Sequence, residues 1–351
     1  MKLQCRDTII LSFFVILLTV SCIFTPELEP LDDYILYASF DGSFKGWGVF
    51  DENTLEKIDS LEMDKAVIDF DISDDNSTFY SMDRYDIIAT DINTKTIKIR
   101  TTTKNWGMTL DRNKEFIITH YPSEYLQFYD AETFELVYED SLGEAITDAY
   151  AVAVSPTEDK IYASYHSEQD ETCIMVYNTN TYQIERLINL NNKKIALMDL
   201  EVSPDGNYLF VVNNSDALFY VVDLSTDKII HTHTCNYSAK IEVSPDGNYV
   251  YLSNPNSPIG ELTKNQVLRY NVSSNKTRVF IHGPGDIGLE SNYLYIDKII
   301  IAPDNRTMFI TLGLSIARID IKTKEIINRY KIPADYQGHI TSSIKNILLV
   351  K

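Results

Sequence analysis

The chain repeats one short pattern along its length, and two copies contain the identical string Ser-Pro-Asp-Gly-Asn-Tyr, at residues 203–208 and 244–249. In both copies an apolar alternation runs into this string, and a second apolar run follows it. Short apolar runs bounded by Pro, Asp and Gly are typical of antiparallel strands joined by tight turns. A unit of this length cannot bury its apolar face alone, so we expect successive copies to stack on one another.

A second turn recurs in every copy, and its spacing gives the period of the repeat. Its Asp or Asn ends an apolar run and occurs at Asp51, Asp91, Asp130, Asn178, Asp223, Asn271 and Asp320. The steps between these residues are 40, 39, 48, 45, 48 and 49, a spacing typical of four-stranded propeller blades with insertions in the later copies. Weaker copies of the first turn occur at residues 73–76, 111–113, 155–157 and 302–305. The sequence therefore predicts an all-β chain, a seven-bladed β-propeller of four-stranded antiparallel blades.

The closure of the predicted ring has two interpretations. The first copy lacks an innermost strand, because residues 34–37 have the pattern of the second strand of a blade. Residues 339–344 would supply the missing strand by circular closure, but residues 347–350 then have the pattern of another second strand. Either one of these segments pairs at an edge, or the strand alignment of the first blade is wrong.

The pattern Val-Ser-Pro-Asp-Gly-x-Tyr, followed by the Asp-x-x-Thr turn at residues 223–226, resembles that of the YVTN-type seven-bladed β-propeller repeat proteins. The resemblance covers residues 34–351. That superfamily includes surface and lipid-anchored binding proteins, lactonases and quinoprotein-like dehydrogenases. The resemblance therefore implies the fold and leaves the function open.

The N-terminal residues resemble a bacterial lipoprotein signal. Lys2 and Arg6 precede an apolar run at residues 8–20, and Ser21 stands immediately before Cys22. We predict a signal peptide at residues 1–21, lipidation of Cys22, an acidic tether at residues 22–33 and the propeller at residues 34–351. A plain secretory signal and an N-terminal membrane anchor are the alternatives. The predicted location is the bacterial cell envelope, outside the cytoplasm, facing either the periplasm or the surface.

Acidic residues dominate the charge of the chain: 31 Lys and Arg against 51 Asp and Glu leave a formal net charge of −20. A chain this acidic repels phosphate backbones, which excludes nucleic acid as a partner. Beyond Cys22 the chain has two cysteines, Cys173 and Cys235. A disulfide between them is allowed outside the cytoplasm, but both occupy strand positions, and packed thiols are the favoured interpretation.

Two motifs have familiar spacings. Residues 283–288 match the dinucleotide fingerprint Gly-x-Gly-x-x-Gly, but Pro284 occupies its turn and no helical period follows, so we predict a loop between blades. His231, His233 and Cys235 alternate along a predicted strand and share one face, which is a partial zinc or copper ligand set. The alternative is that this outermost strand simply turns polar residues to solvent.

A last set of candidates comes from aligning the innermost strands. Asp71, Glu201 and Glu242 occupy one channel-facing position, and two residues earlier stand Asp69, Asp199, Lys240 and Lys298. Acids around a central channel would hold a divalent cation or an amine; the alternative is that they pair with Lys240, Lys298 or water. None of the six histidines falls in these inner-strand positions, which weakens the case for an enzyme.

The leading hypothesis is a lipid-anchored, extracytoplasmic binding or scaffolding propeller. Its partner would be an envelope protein or a small ligand on one rim, where residues 165–172 and 254–265 lengthen equivalent connections. No catalytic residue and no firm cofactor follow from the sequence. The alternative is a lactonase-like hydrolase that uses a metal in the central channel.

Overall fold

The computed structural model describes residues 4–10, 17–23, 31, 34–42, 44–83, 85–102, 107–111, 116–121, 125–141, 151–166, 172–192, 197–213, 217–235, 240–253, 266–287, 296–312, 314–332 and 342–350. The chain divides into two compact units, residues 1–31 and residues 32–351.

The first unit contains a two-stranded antiparallel sheet. Strand β1 (Gln4–Ile10) pairs with β2 (Leu17–Ile23), from Gln4 opposite Ile23 to Ile10 opposite Leu17. Cys22, the predicted lipidation site, lies in β2. Within the described parts of the chain, no helix is long and apolar enough to cross a membrane. The signal peptide and the tether stay predictions.

The second unit contains seven four-stranded antiparallel sheets, and it confirms the predicted seven-bladed β-propeller. From the innermost strand outward, blade 1 contains β30 (Ser342–Val350), β3 (Ile35–Gly42), β4 (Gly46–Asp51) and β5 (Lys57–Glu62). Blade 2 contains β6 (Asp69–Ile72), β7 (Thr78–Met82), β8 (Asp86–Asp91) and β9 (Ile97–Thr102). Blade 3 contains β10 (Gly107–Asp111), β11 (Phe116–Tyr121), β12 (Tyr125–Asp130) and β13 (Leu136–Ser141). Blade 4 contains β14 (Val152–Val154), β15 (Lys160–His166), β16 (Thr172–Asn178) and β17 (Gln183–Asn192).

The last three blades follow the same order. Blade 5 contains β18 (Leu197–Val202), β19 (Tyr208–Asn213), β20 (Leu218–Asp223) and β21 (Lys228–Thr234). Blade 6 contains β22 (Lys240–Val243), β23 (Tyr249–Ser253), β24 (Val267–Asn271) and β25 (Lys276–Ile281). Blade 7 contains β26 (Ile296–Ile301), β27 (Thr307–Leu312), β28 (Ser315–Asp320) and β29 (Ile326–Lys331). A single 3₁₀ turn (Pro284–Ile287) lies in the predicted loop between blades 6 and 7.

The ring closes at blade 1 through one continuous strand. β30 pairs with β3 from Ile35 opposite Val350 to Gly42 opposite Ser342, with an irregularity between Ser39 and Phe40. The interpretation of residues 347–350 as a second strand is therefore wrong, since they belong to the same innermost strand as residues 342–346. Circular closure and the assignment of residues 34–37 to a second strand are both supported. The innermost strands then contact one another around the whole ring.

In several blades the first turn contains an Asp and a left-handed residue, and in the two identical copies a Ser as well. In the copy at residues 203–208, Tyr208 N donates to Ser203 Oγ (2.9 Å) and Ser203 Oγ donates to Asp205 Oδ1 (2.6 Å). Gly206 has a φ of 74°, a conformation that L side chains rarely adopt. The weaker copies place Asn76 and Asn305 at the same point, with φ of 56° and 53°, because Asn tolerates this region better than most residues.

The second turn is the same in every blade. The Asp or Asn that ends the third strand accepts, through Oδ1, the backbone N–H of the residue three positions later, at 2.7 to 3.1 Å. The residue four positions later has φ between 52° and 63°. We call these left-handed residues the inter-blade residues: Leu55, Lys95, Phe134, Tyr182, Asp227, Asn275 and Lys324.

Most inter-blade residues contact the preceding blade. Lys95 forms an ion pair with Asp59, and Asp227 Oδ2 accepts from Arg186 Nε at 2.6 Å. The Tyr182 ring stacks on Tyr138, with 5.0 Å between the ring centroids. The conformation costs about 1–2 kcal/mol for a residue other than Gly. The contacts with the neighbouring blade offset that cost, so the repeat uses a strained turn to join its blades.

Apolar side chains fill the space between blades. Phe210, Phe219 and Tyr270 pack together from blades 5 and 6, and the Trp47 and Phe79 rings stack at 4.9 Å between blades 1 and 2. Cys173 and Cys235 are buried free thiols. This confirms packed thiols as the favoured interpretation over a disulfide.

Candidate functional site

A cavity of about 700 Å³ lies at the centre of the ring, on the inner faces of the innermost strands. Channel-facing residues alternate with core residues, so that Asp69 and Asp71 line the cavity while Ile72 is fully buried in the core. This is the alternation expected of a strand with one packed face. The charged and polar residues of the lining include Asp69, Asp71, Asp199, Lys240, Glu242, Lys298, His120, Thr109 and Asn346.

The channel acids bridge neighbouring blades. Asp199 Oδ2 accepts from Ile241 N (2.9 Å), Glu201 Oε1 from Val243 N (3.1 Å) and Glu242 Oε1 from Ile301 N (3.0 Å). In each case the acid belongs to one innermost strand and the N–H to the next. An innermost strand is the edge of its sheet, so the N–H groups on its unpaired side have no partner from a neighbouring strand. The carboxylates supply that partner, which neither the cation hypothesis nor the lysine-pairing alternative anticipated.

Asp71 differs from the two glutamates. Its Oδ1 accepts from the N–H of the following residue, Ile72, at 2.8 Å. Its neighbour Asp69 accepts from Met108 N in blade 3 (3.3 Å) and from Asn346 Nδ2 in blade 1 (2.8 Å). Of the three predicted channel residues, Asp71 and Glu242 belong to the described lining of the cavity and Glu201 does not, while Glu201 and Glu242 each bond to the next blade.

Burial and mutual repulsion change the proton affinity of these groups. Burial raises the pKa of Glu242 to about 7, although the charge of Lys298 acts in the opposite direction. Burial, followed by the negative charge of Glu242, raises the pKa of Glu201 well above its usual value. Burial also raises the pKa of Asp69. The pKa of Lys298 is raised as well, because attraction to Glu242 and Asp199 outweighs its burial. The channel therefore holds protons on acids at a pH where exposed acids have lost them.

One lining residue, His120, was missed from the sequence. It lies on β11, the second strand of blade 3, directly opposite Gly107 of the innermost strand. A Cβ built on Gly107 would lie 2.2 Å from His120 Nε2. The missing side chain thus lets an imidazole from the second strand reach the channel. The sequence did contain a signal for this arrangement, because Gly107 stands at the repeat position where other blades carry Asp69, Asp199 or Lys240.

Replacing Gly107 by alanine tests this arrangement. The new Cβ must displace the imidazole from a well-packed site, so we expect Gly107→Ala to lower the free energy of unfolding by about 1–3 kcal/mol. In the Gly107→Ala/His120→Ala double variant the clash is gone, and the alanine at position 107 should cost nothing further. Denaturant unfolding of the two single variants and the double variant measures the coupling. Additive effects would contradict direct contact between the two residues.

Two of the three predicted metal ligands, His231 and His233, contact an asparagine of the next blade. Asn275, an inter-blade residue of blade 6, lies between the two imidazoles: its Oδ1 lies 2.9 Å from His233 Nε2 and its Nδ2 lies 2.7 Å from His231 Nδ1. Cys235 follows the end of β21 and is fully buried. Within the described ranges, no group of three or more His, Cys, Asp or Glu side chains is placed to hold a metal ion. Metal binding stays a prediction.

The predicted rim also stays a prediction. Residues 167–171 and 254–265 lie outside the described residues. The described strands that flank them are the second and third strands of blades 4 and 6, as predicted. Because strands alternate in direction within a blade, the described strand ends that flank the two connections lie at the same face of the ring.

Comparison with known proteins supports the fold alone. No protein-family model and no curated protein matches the sequence. Among solved structures 1651 chains match, including one described as Kuenenia stuttgartiensis Hydrazine Synthase. That match has a TM-score of 0.64 and 13% sequence identity and covers 81% of this chain and 95% of the other. A fold with so many matches hosts many functions. The chain is a seven-bladed β-propeller, an architecture suited to a binding or scaffolding module in general.

Proposed function

We propose that this chain is an envelope-located, lipid-anchored binding propeller of the YVTN repeat type, and that it holds a small polar ligand in its central channel. The observation that carries the proposal is the cavity of about 700 Å³, whose lining combines acids with the ammonium groups of Lys240 and Lys298. Cavities of this size are typical of small-molecule sites. A lining with both charge signs fits a ligand that carries both an amine and an acid group.

The rigidity of the lining supports binding. The acids are held by backbone N–H groups of the next blade, so their positions are set before a ligand arrives. Preorganised groups lose little conformational entropy on binding. The side chain of Lys240 forms no ion pair or hydrogen bond within the described residues, although its charge acts on Asp69, and it lines the cavity. It is therefore the best candidate for contact with the ligand.

The proposal predicts a small molecule that co-purifies with the protein. Full-length protein would be isolated from its own membranes, and released small molecules would be identified by mass spectrometry. We expect a stoichiometric polar molecule in the wild type and at least a tenfold loss in Lys240→Met. Lys228→Met, which changes an exposed lysine on β21, should retain it. Equal recovery from all three proteins, or recovery of none, would contradict a channel ligand.

The same preparation tests the anchor. Cys22→Ser should move the protein from the membrane fraction to the soluble fraction and abolish incorporation of a labelled fatty acid. Retention in the membrane without labelling would favour an uncleaved N-terminal anchor, and release of the wild type would favour a plain secretory signal. Co-elution of a stoichiometric protein in place of a small molecule would favour the scaffolding role.

A second candidate function is the lactonase-like hydrolase with a divalent cation in the channel. The observation in its favour is Glu242, whose pKa is raised to about 7, the range suited to a general acid or base. Asp199, Glu201 and Glu242 each accept a backbone N–H of the next blade, and the described acids do not gather as a metal-ligating group. Elemental analysis that finds one metal per chain, lost together with lactone hydrolysis in Glu201→Gln, would favour this candidate over the binding module.

A further inference from the structure

A basic pocket lies between blades 6 and 7 and is distinct from the central channel. Its volume is about 470 Å³. We call it the blade 6–7 pocket, and its lining consists of Arg269, Arg278, Val279, Phe280, Asn305, Arg306, Ile321, Lys322 and Lys324. Five of these residues are cationic and none is acidic, in a chain with a net charge of −20. Such a local reversal of charge needs an explanation.

The repeat itself shows that Arg269 is unusual. It stands two residues before the Asp or Asn that ends the third strand. Five blades fill this position with a buried apolar side chain: Val49, Ala89, Phe128, Val176 and Val221. Only blades 6 and 7 carry an arginine there, Arg269 and Arg318. The fold therefore does not require a cation at this point.

Arg318 shows how the terminal nitrogen of such an arginine can bond to the next blade. Its Nη1 donates to Asn53 O (3.1 Å) and to Asn53 Oδ1 (3.0 Å) in the next blade. Asn53 stands two residues after Asp51, and the equivalent residue beside Arg269 is Lys322, two residues after Asp320. Arg318 therefore has two acceptors in the next blade, whereas Arg269 shares its pocket with a second cation, Lys322.

Arg269 is held in place by side chains of its own blade, and one of them, Tyr251, forms a side-chain hydrogen bond with it. Its guanidinium lies 4.6 Å from the centre of the Tyr249 ring and 4.8 Å from that of Phe280. Its buried Nε has no hydrogen-bond partner among the described residues, and the buried Nε of Arg318 has none either. Stacking on aromatic faces fixes the plane of a guanidinium, and the N–H groups that do not bond to Tyr251 can donate to an anion.

The other cations of the pocket add to this unbalanced charge. Arg306 Nη2 lies 3.6 Å from Asp320 Oδ2, which neutralises one of them. Lys324 Nζ stands 5.1 Å above the Phe280 ring. Arg269, Arg278, Lys322 and Lys324 form no ion pair with an acid in the described parts of the chain. Four like charges around one cavity repel one another, and a bound anion would remove that repulsion.

We propose that the blade 6–7 pocket binds a small oxyanion with at least two negative charges, of the phosphate-ester type. The planar fork of Arg269 suits paired oxygens on one phosphorus, and the lysines supply point charges around it. The volume admits a small molecule. A long polyanion would be repelled by the net charge of −20 that the chain carries, which disfavours nucleic acid.

Anion titrations with matched variants test the proposal. Inorganic phosphate, pyrophosphate and chloride would be added at constant ionic strength, with binding followed by calorimetry and by thermal unfolding. We expect saturable, one-to-one binding of pyrophosphate and of phosphate, with no such binding of chloride. Arg269→Met, which restores an apolar residue of similar length, should weaken binding at least tenfold.

Arg318→Met is the matched control, because it changes the equivalent arginine of the next blade. It should lower Tm, since Asn53 loses its donor, and leave pyrophosphate affinity unchanged. In anion-free buffer Arg269→Met should keep or raise Tm, because it removes one of four repelling charges. The proposal is wrong if neither oxyanion binds better than chloride, or if Arg269→Met binds as tightly as the wild type. A fall in the Tm of Arg269→Met as large as that of Arg318→Met would show that Arg269 is purely structural.

Discussion

Glutamine in place of Glu242 is expected to stabilise the protein by about 3 kcal/mol at pH 8, although it removes a charge beside Lys298. The pKa of Glu242 rises from 4.5 to about 7 on folding. Between these values the native state binds a proton that the unfolded state has lost, so the free energy of unfolding falls as the pH rises through this window. Glutamine mimics the protonated carboxyl and can still accept the Ile301 N–H bond.

The measurement is urea unfolding from pH 4 to pH 8.5. The wild type should lose stability as the pH rises from 4.5 through 7, because Glu242 and its neighbour Glu201 both have raised pKa values. Glu242→Gln should match the wild type near pH 4 and exceed it above pH 7. Asp223→Asn is the control: hydrogen bonds from Ser225 lower the pKa of this exposed acid, and its substitution should bring no gain at pH 8. A Glu242→Gln protein less stable than the wild type at pH 8 would show that attraction to Lys298 outweighs burial.

Deleting residues 342–351 is expected to abolish folding of the propeller. β30 supplies the innermost strand of blade 1 and is the element that joins blade 7 to blade 1. Its removal exposes the inner edge of β3 and the buried surface around Ile347. We expect a loss of more than about 5 kcal/mol, which is comparable to the whole stability of many domains. Circular dichroism and thermal unfolding would show a missing or strongly shifted transition.

Deletion of residues 1–31 is the matched control, because these residues form a separate unit. It removes more of the chain and should leave the thermal transition of the propeller within a few degrees of its original position. Adding the peptide of residues 342–351 to the truncated protein should restore part of the transition. A truncated protein with unchanged Tm would show that the remaining six blades and three strands hold the ring by themselves.

Local sequence patterns predicted the blades because turn chemistry is local. The Asp or Asn of the second turn bonds to N–H groups only two or three residues away, so all seven copies are readable in the sequence. Closure was harder to predict. β30 runs past an irregularity opposite Ser39 and Phe40, which made one strand look like two.

The channel was predicted in part. Alternation placed Glu201 and Glu242 on the inner face, but their partners are backbone N–H groups 42 and 59 residues away, which no side-chain pattern reveals. His120 reaches the channel only because Gly107 has no side chain. The environment of Arg269 likewise depends on the turn of the next blade. Contacts between blades are long-range in sequence, and they decide the chemistry here.

Closure by β30 also determines when the ring can be completed during synthesis. During synthesis the first residues of blade 1 leave the ribosome early, yet β30 is the last propeller strand to emerge. Until then the inner edge of β3 has no partner, and blades 1 and 7 cannot join. The ring is therefore completed only after all seven blades have been made. The earlier blades can form their sheets before this point, but the ring stays open until β30 pairs with β3.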